Sequence, residues 1–366
     1  MSSSTTSQEQ DHYHYAPPSA PPPTPSSHSI STSAPAIDNL SQLFNRFPPN
    51  LSLSLPKRRP SHLSPISPVI SLPDLSLSFS RAFELGFFHL TDHNIPSHLA
   101  KLAETESLSL FHLSREKKLH HFPQNWPLGY EDDKEEDVNK VSESFCFDSS
   151  CYGELAELKL ESLREFTQEM EKVGLHIIEA MSCALGFDNP TRQDPTRICS
   201  QMWVSEETPG NKQVISGKMY PYVVGLQYQL RGQKSMMFAD SGLVSVPTRV
   251  ESVLVTLGDI AQVWSNGKLK KVRGRPIPSL EEGNNSAKCI TMTLLLTLPL
   301  DSTVSTLIPK LIESHEDEED GDDDIDGNED IDENKKLFKS FSFEDYAWRM
   351  YHEQHVLKDP LDRYYM

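Results

Sequence analysis

The sequence predicts a mainly β fold with flanking helices: an antiparallel sandwich or jelly roll on one long backbone helix. Three observations carry this. After Arg197 the hydrophobic pattern has period two, with Val224, Leu226, Tyr228 and Leu230 alternating with Gly225, Gln227 and Gln229. Short runs of the same kind, Leu243–Val246, Val253–Leu257 and Ile290–Leu294, are separated by Gly, Pro and Asn turns. Before them, Leu163, Phe166, Met170, Val173, Ile177, Met181 and Ala184 recur every three or four residues, which is helical spacing.

Taken in order, residues 1–64 are rich in Ser, Pro and Thr, with runs such as Pro21-Pro22-Pro23 that form neither helix nor ladder. A disordered arm is expected there. The basic trio Lys57-Arg58-Arg59 near its end reads as a solvated linker; a weak nuclear signal and a chloroplast transit peptide are the alternatives. Order is expected from Ser67, with strands at Pro68–Leu72 and Gly86–Leu90. A helix capped by Ser97 follows, burying Leu99, Leu102, Ala103, Leu110 and Phe111. The long helix is expected over Glu154–Leu185 and stops at Gly186, where a left-handed glycine would end it. The period-two region then runs to residue 312. Glu313–Glu333 is an acidic insert, and Phe338–Tyr351 resumes as an amphipathic helix ended by Asp359-Pro360-Leu361. The expected boundaries are 1–64, 65–190, 191–312, 313–336 and 337–366.

The 366 residues suffice for one large core. The formal charge is −19, but fourteen carboxylates lie in Glu313–Glu333, and the remainder carries only −5. This balance argues against binding nucleic acid or an anionic membrane, whose phosphates would repel the chain. Five cysteines without CxxC spacing favour reduced thiols in an intracellular protein, cytoplasmic or nuclear. Met1–Thr6 lacks the basic and apolar regions of a secretory leader, and no apolar run approaches the ~18 residues of a membrane span. A monomer is expected.

Several segments together resemble one family. Pro68-Val69-Ile70-Ser71-Leu72 with Gly86-Phe87-Phe88-His89-Leu90-Thr91-Asp92-His93-Asn94-Ile95 looks like its "PVIDL … GFFQLxNHGI" region, and Trp126-Pro127-Leu128-Gly129-Tyr130 like its glycine-tyrosine loop. Gly225-Leu226-Gln227 matches its "GLQ", Val253–Asp259 its "VVNIGD", and Ser265–Val272 its "TNGKYKSV". In this order they resemble the plant 2-oxoglutarate- and Fe(II)-dependent dioxygenases of the gibberellin-oxidase and aminocyclopropane-carboxylate-oxidase type, over residues 66 to 300. The resemblance implies a double-stranded β-helix (jelly roll), with an N-terminal dioxygenase-like region to 190 and the jelly-roll domain over 191–312.

It also implies an oxidoreductase whose cofactors are Fe(II) and 2-oxoglutarate, the iron held by two imidazoles and a carboxylate. This chain departs from that pattern. The family's His-x-Asp lies roughly seventeen residues before "GLQ", a window that here reads Thr208-Pro209-Gly210-Asn211-Lys212, and no histidine occurs between His176 and His315. The second histidine position is Gly274, within Arg273-Gly274-Arg275. The arginine that holds the oxoglutarate carboxylate falls near Ile290-Thr291-Met292, with Lys288 as a point-charge substitute that lacks the bidentate fork. The expectation is therefore a degenerate, catalytically inactive member: no catalytic or metal residues, no cofactor, and a small-molecule or protein partner bound through the inherited pocket. The alternative is an active oxidoreductase with a non-standard metal shell. His89, His93, His120 and His121, with His352 and His355 on the tail helix, read as structural or surface residues rather than a migrated metal site. Lys268, Lys270, Lys271, Arg273 and Arg275 read as a solvated edge strand, or else as an anion or acidic-partner surface.

Overall fold

In the computed structural model the chain divides into two units, Met1–Pro60 and Ser61–Met366. The structure describes residues 66–134, 141–151, 155–207, 219–232, 234–278, 289–308, 337–353 and 359–366. The Ser/Pro arm, the Thr208–Lys212 window, Lys288, His355 and the acidic insert lie outside them.

The strands, in chain order, are β1 (Val69–Ser71), β2 (Phe87–Thr91), β3 (Gly129–Lys134), β4 (Val141–Asp148), β5 (Cys199–Glu207), β6 (Val224–Tyr228), β7 (Ser235–Ala239), β8 (Gly242–Val246), β9 (Val253–Leu257), β10 (Val272–Pro278) and β11 (Cys289–Thr297). Two-residue strands β12 (Thr303–Val304) and β13 (Phe341–Ser342) pair with each other. An eight-stranded sheet runs β1-β2-β9-β6-β11-β5-β4-β3, and a three-stranded sheet runs β10-β7-β8. The larger sheet thus takes strands from both sides of residue 190.

Because successive side chains point to opposite faces of a strand, each strand of the large sheet divides its residues between two environments. Val224, Leu226, Val255, Met202, Val204, Leu294 and Leu296 go to the main core with the long helix. Phe87 and Leu254 go to the other face, where they pack with Met237, Ala239, Val244, Val246 and Val272 of the small sheet. The result is the jelly roll the alternation predicted, with helices covering one face of the large sheet.

The helices are α1 (Leu75–Ser78), α2 (Ser97–Phe111), α3 (Arg115–His121), α4 (Glu161–Leu185), α5 (Pro190–Gln193), α6 (Asp259–Trp264) and α7 (Phe343–His352). The long helix α4 starts seven residues later than its periodicity suggested, because Lys159 sits in the left-handed region at φ 51° and breaks the preceding turn. It ends at Gly186 as expected, at φ 75°. Midway, a Cβ on Gly174 would stand 2.4 Å from Leu296 Cδ1 and 3.0 Å from Leu226 Cδ1, so the bare glycine lets the helix lie close on β6 and β11. In α2 the cap is Pro96, not Ser97. Leu102 is 51% exposed rather than buried, since it falls outside the Leu99–Ala103–Leu110 stripe. The tail helix α7 begins at Phe343 rather than 338, because Phe341–Ser342 is taken up by the pairing with β12 and Ser342 Oγ caps the helix through Asp345 N. Among the described residues no helix is long and apolar enough to cross a membrane.

The C-terminal segment is tied to the jelly roll by ions. Lys271 Nζ lies 2.9 Å from Asp259 Oδ1 and 2.8 Å from Asp359 Oδ1, and both the Lys271 and Asp259 side chains are fully buried. Arg273 Nη2 reaches Asp359 Oδ2 at 2.8 Å, while Asp359 Oδ1 also accepts from Leu361 N and caps the final 3₁₀ turn. Burial works against the Lys271 charge, but the carboxylates of Asp259 and Asp359 outweigh it and hold its pKa above the usual lysine value. Removing one member of such a pair leaves an uncompensated buried charge, at a cost of about 3–5 kcal/mol. Lys271→Ala, which strands Asp259 in the interior, is expected to lower unfolding stability by about that amount. Asp359→Ala, at a position still partly wetted, is expected to cost less. Denaturant melts of both variants check the order; equal and small losses would contradict it.

Candidate functional site

The inner face of the large sheet is polar where it is not filled by the small apolar cluster. Register fixes its composition. Trp203 stands opposite Thr293 and Cys146, and Gln201 opposite Leu295 and Asp148. Gln227 stands opposite Thr293 and Leu254, and Gly225 opposite Leu295 and Thr256. Cross-strand partners share a face, so Gln201, Trp203, Ser205, Cys146, Thr293, Gly225, Gln227 and Thr256 form one wall. Of these, Gln201, Trp203, Ser205, Cys146, Thr293, Gln227 and Thr256 are each less than a tenth exposed.

Facing this wall is β10. Its register against β7 shifts between Arg273 and Ile277, and Gly274 lies within the irregularity at φ 67°, a conformation that favours glycine. Tyr222 closes the gap, its hydroxyl 3.0 Å from Gly274 O, 2.9 Å from Val272 O and 3.1 Å from Thr256 Oγ1. Gln227 Nε2 donates to Pro276 O at 3.2 Å. Past the bulge, the Arg275 guanidinium lies over the Trp203 ring, 3.9 Å from its centre.

Trp203 Nε1 of this wall is buried without a hydrogen-bond partner, while Gln201 and the Tyr220 hydroxyl stand against each other as complementary groups. An unmet buried donor or acceptor costs about 1–3 kcal/mol. Burial pushes the Tyr220 and Tyr222 hydroxyls and the Cys146 thiol above their ordinary values, so all three stay protonated.

An Fe(II) site does not fit these side chains. Gly274 offers no side-chain donor, and among the described residues the segment just before β6 stands against it. Met219 Cγ lies 3.4 Å from where a Gly274 Cβ would stand. A thioether and protonated phenols do not replace two imidazoles and a carboxylate. Asp240 and Asp259 are committed elsewhere: Asp240 Oδ2 accepts from Gln262 Nε2 and Lys271 N, and Asp259 pairs with Lys271. Among the described residues no group of three His, Cys, Asp or Glu side chains could hold a metal ion.

The basic strip is not the surface its spacing suggested. Lys271 is wholly buried in the ion network and Arg273 is paired to Asp359, while Arg275 folds against Trp203. Lys268 and Lys270 are exposed. The reason is local: Leu269 and Val272 pack inward and draw the strip into the fold. The polar wall itself went unread in the sequence, although the alternation Gln201, Trp203, Ser205 was its signal. A separate surface cavity of about 520 Å³ is lined by Asp194, Arg197, Trp264, Asp301 and Leu307, away from this wall.

The N-terminal histidines pin loops. His93 Nδ1 accepts from Ile95 N and its Nε2 lies 3.1 Å from Glu251 O. His89 bridges Ser252 Oγ and Pro247 O. His352 stacks on Trp348 with ring centres 3.7 Å apart.

With this geometry in view, the chain can be set beside known proteins. It matches no protein-family model. Gibberellin 2-beta-dioxygenase 2 of Arabidopsis thaliana is 22% identical over 277 residues, 68% of this chain and 79% of that protein. Gibberellin 2-beta-dioxygenase 1 of Pisum sativum is 24% identical over the same length, 68% and 80% of the two chains. Among solved structures, JOX2 in complex with 2OG, Fe and JA superposes with a TM-score of 0.62 at 18% identity, covering 89% of this chain and 97% of that one. The rice dioxygenase for auxin oxidation gives 0.59 at 18%, covering 82% and 100%. The fold is therefore the double-stranded β-helix of 2-oxoglutarate oxygenases.

Burial lowers the pKa of His89 and of His93 below 6.5, against the raising effect of their carbonyl partners. A group whose folded pKa is depressed contributes stability that is present above its unfolded pKa and is lost as pH falls through the folded value. The thermal midpoint is accordingly expected to drop as pH is lowered below about 6.5, and His93→Gln to flatten part of that drop. Melts across pH 5–8 check this; an unchanged slope in the variant would contradict it.

Proposed function

We propose that the chain is a non-catalytic member of the 2-oxoglutarate/Fe(II) oxygenase superfamily, acting as a binding module through the interior of its jelly roll. The relatives at 22–24% identity and the shared fold support the superfamily placement. One observation carries the loss of catalysis: Gly274 faces the thioether of Met219 and the hydroxyl of Tyr222, not an imidazole and a carboxylate. Without nitrogen donors, the carboxylates of this region would favour harder and more weakly held ions, and Asp240 and Asp259 are already hydrogen-bonded or neutralised.

The module reading needs no metal. A wall of buried Gln, Ser, Thr and Trp side chains orients a small polar molecule by hydrogen bonds, and the apolar cluster at the other end of the barrel gives the site a rigid base.

The purified full-length chain, supplied with Fe(II), ascorbate and 2-oxoglutarate, is expected to release no succinate and to retain no stoichiometric iron after desalting. Gly274→His is expected to leave both results unchanged, since one imidazole does not rebuild the donor set. Turnover of oxoglutarate by the unmodified chain would place it among active oxygenases instead.

A further inference from the structure

The surface cavity beside Trp264, about 520 Å³, has the size of a small-molecule site. Its position follows from the sheet. β5 and β11 are antiparallel neighbours, and their pairing ends at Cys199 opposite Thr297. Beyond that point the chain entering β5 and the chain leaving β11 form two ridges. The first carries the 3₁₀ turn Pro195–Arg197, and the second runs from Leu298 to Leu307. The cavity also has an apolar lining. Trp264 is 4% exposed and Leu298 7%. Leu307 N donates to Trp264 O at 3.0 Å, which holds the end of the second ridge against the end of α6.

Opposite charges line this cavity, one from each ridge. Arg197 is exposed on the first and Asp301 on the second. Neither side chain makes an ion pair or a hydrogen bond among the described residues. The carboxylate of Asp194 is already engaged, since its Oδ1 accepts from Thr196 N at 3.0 Å and from Thr196 Oγ1 at 2.6 Å as the cap of the same turn.

We infer that this cavity binds a free amino acid with an apolar side chain, its carboxylate paired with Arg197, its ammonium with Asp301, and its side chain against Trp264, Leu298 and Leu307. The planar guanidinium matches a carboxylate through two parallel hydrogen bonds. A simple anion would bring like charge to Asp301, and a simple cation would bring it to Arg197. A zwitterion answers both. A neutral polyol would take water from both charges without replacing it by an opposite charge. The site is independent of the jelly-roll interior, since it shares no lining residue with the polar wall.

Calorimetry on the full-length chain at low ionic strength tests this, with L-leucine and L-phenylalanine as probes. At least one of the two is expected to bind with a Kd below about 1 mM, and more weakly as salt is raised. N-acetyl-L-leucinamide, which keeps the side chain and loses both charges, is expected not to bind. Arg197→Gln and Asp301→Asn each remove one charge, so each is expected to weaken binding about tenfold. The thermal midpoint of both variants is expected to change little, because neither side chain has an ion pair to lose. No binding of either amino acid overturns the inference. So does binding of N-acetyl-L-leucinamide as tight as that of leucine, or unchanged binding in both variants. None of these results bears on the absence of oxoglutarate turnover, which is measured separately.

Discussion

The interior depends on one register. Gly225, Gln227, Thr293, Trp203 and Gln201 reach the same face because β6, β11 and β5 pair without a break, Leu295 opposite both Gly225 and Gln201. A slip of one residue would turn Leu226, Leu294, Met202 and Val204 toward the small sheet and expose the polar set to α4. The apolar face opposes that slip: α4 packs closely at Gly174 on Leu226 of β6 and Leu296 of β11. Packing on the helical side thereby fixes what stands on the other.

The second constraint is charge. A wholly buried ammonium at Lys271 holds the start of β10, the first turn of α6 through Asp259, and the C-terminal segment through Asp359. Such a group is weak evidence for net stability, since desolvating the ions offsets their attraction, but losing one partner strands the other in the interior. With Lys271 anchored, the bulge at Gly274 falls where Tyr222 bridges it, and Arg275 emerges on the Trp203 side. The Asp259 carboxylate is thus spent on structure.

Much of the fold was legible. The period-two runs gave β6, β8, β9 and the middle of β11, and the seven-residue apolar series gave α4, because in both cases burial alone dictates the pattern. The boundaries that failed did so for local reasons, a left-handed Lys159 and the pairing of Phe341–Ser342, neither of which hydrophobicity records. The missing histidines and the substitution at Gly274 were also plain in the sequence. What stood opposite Gly274 was not, since the approach of Met219 is a fact of topology rather than spacing. The basic strip misled because a run of Lys and Arg looks solvated until partners such as Asp359, far away in sequence, fold against it.

The proposed loss of the iron site can be read inside the jelly roll itself. The most direct measurement is anomalous diffraction at the iron edge, from crystals of the full-length chain grown without oxygen in Fe(II) and 2-oxoglutarate. No anomalous peak is expected inside the jelly roll, with Met219 against Gly274 and Arg275 over Trp203. An ordered iron peak between Gly274 and the Met219–Tyr222 segment would contradict it.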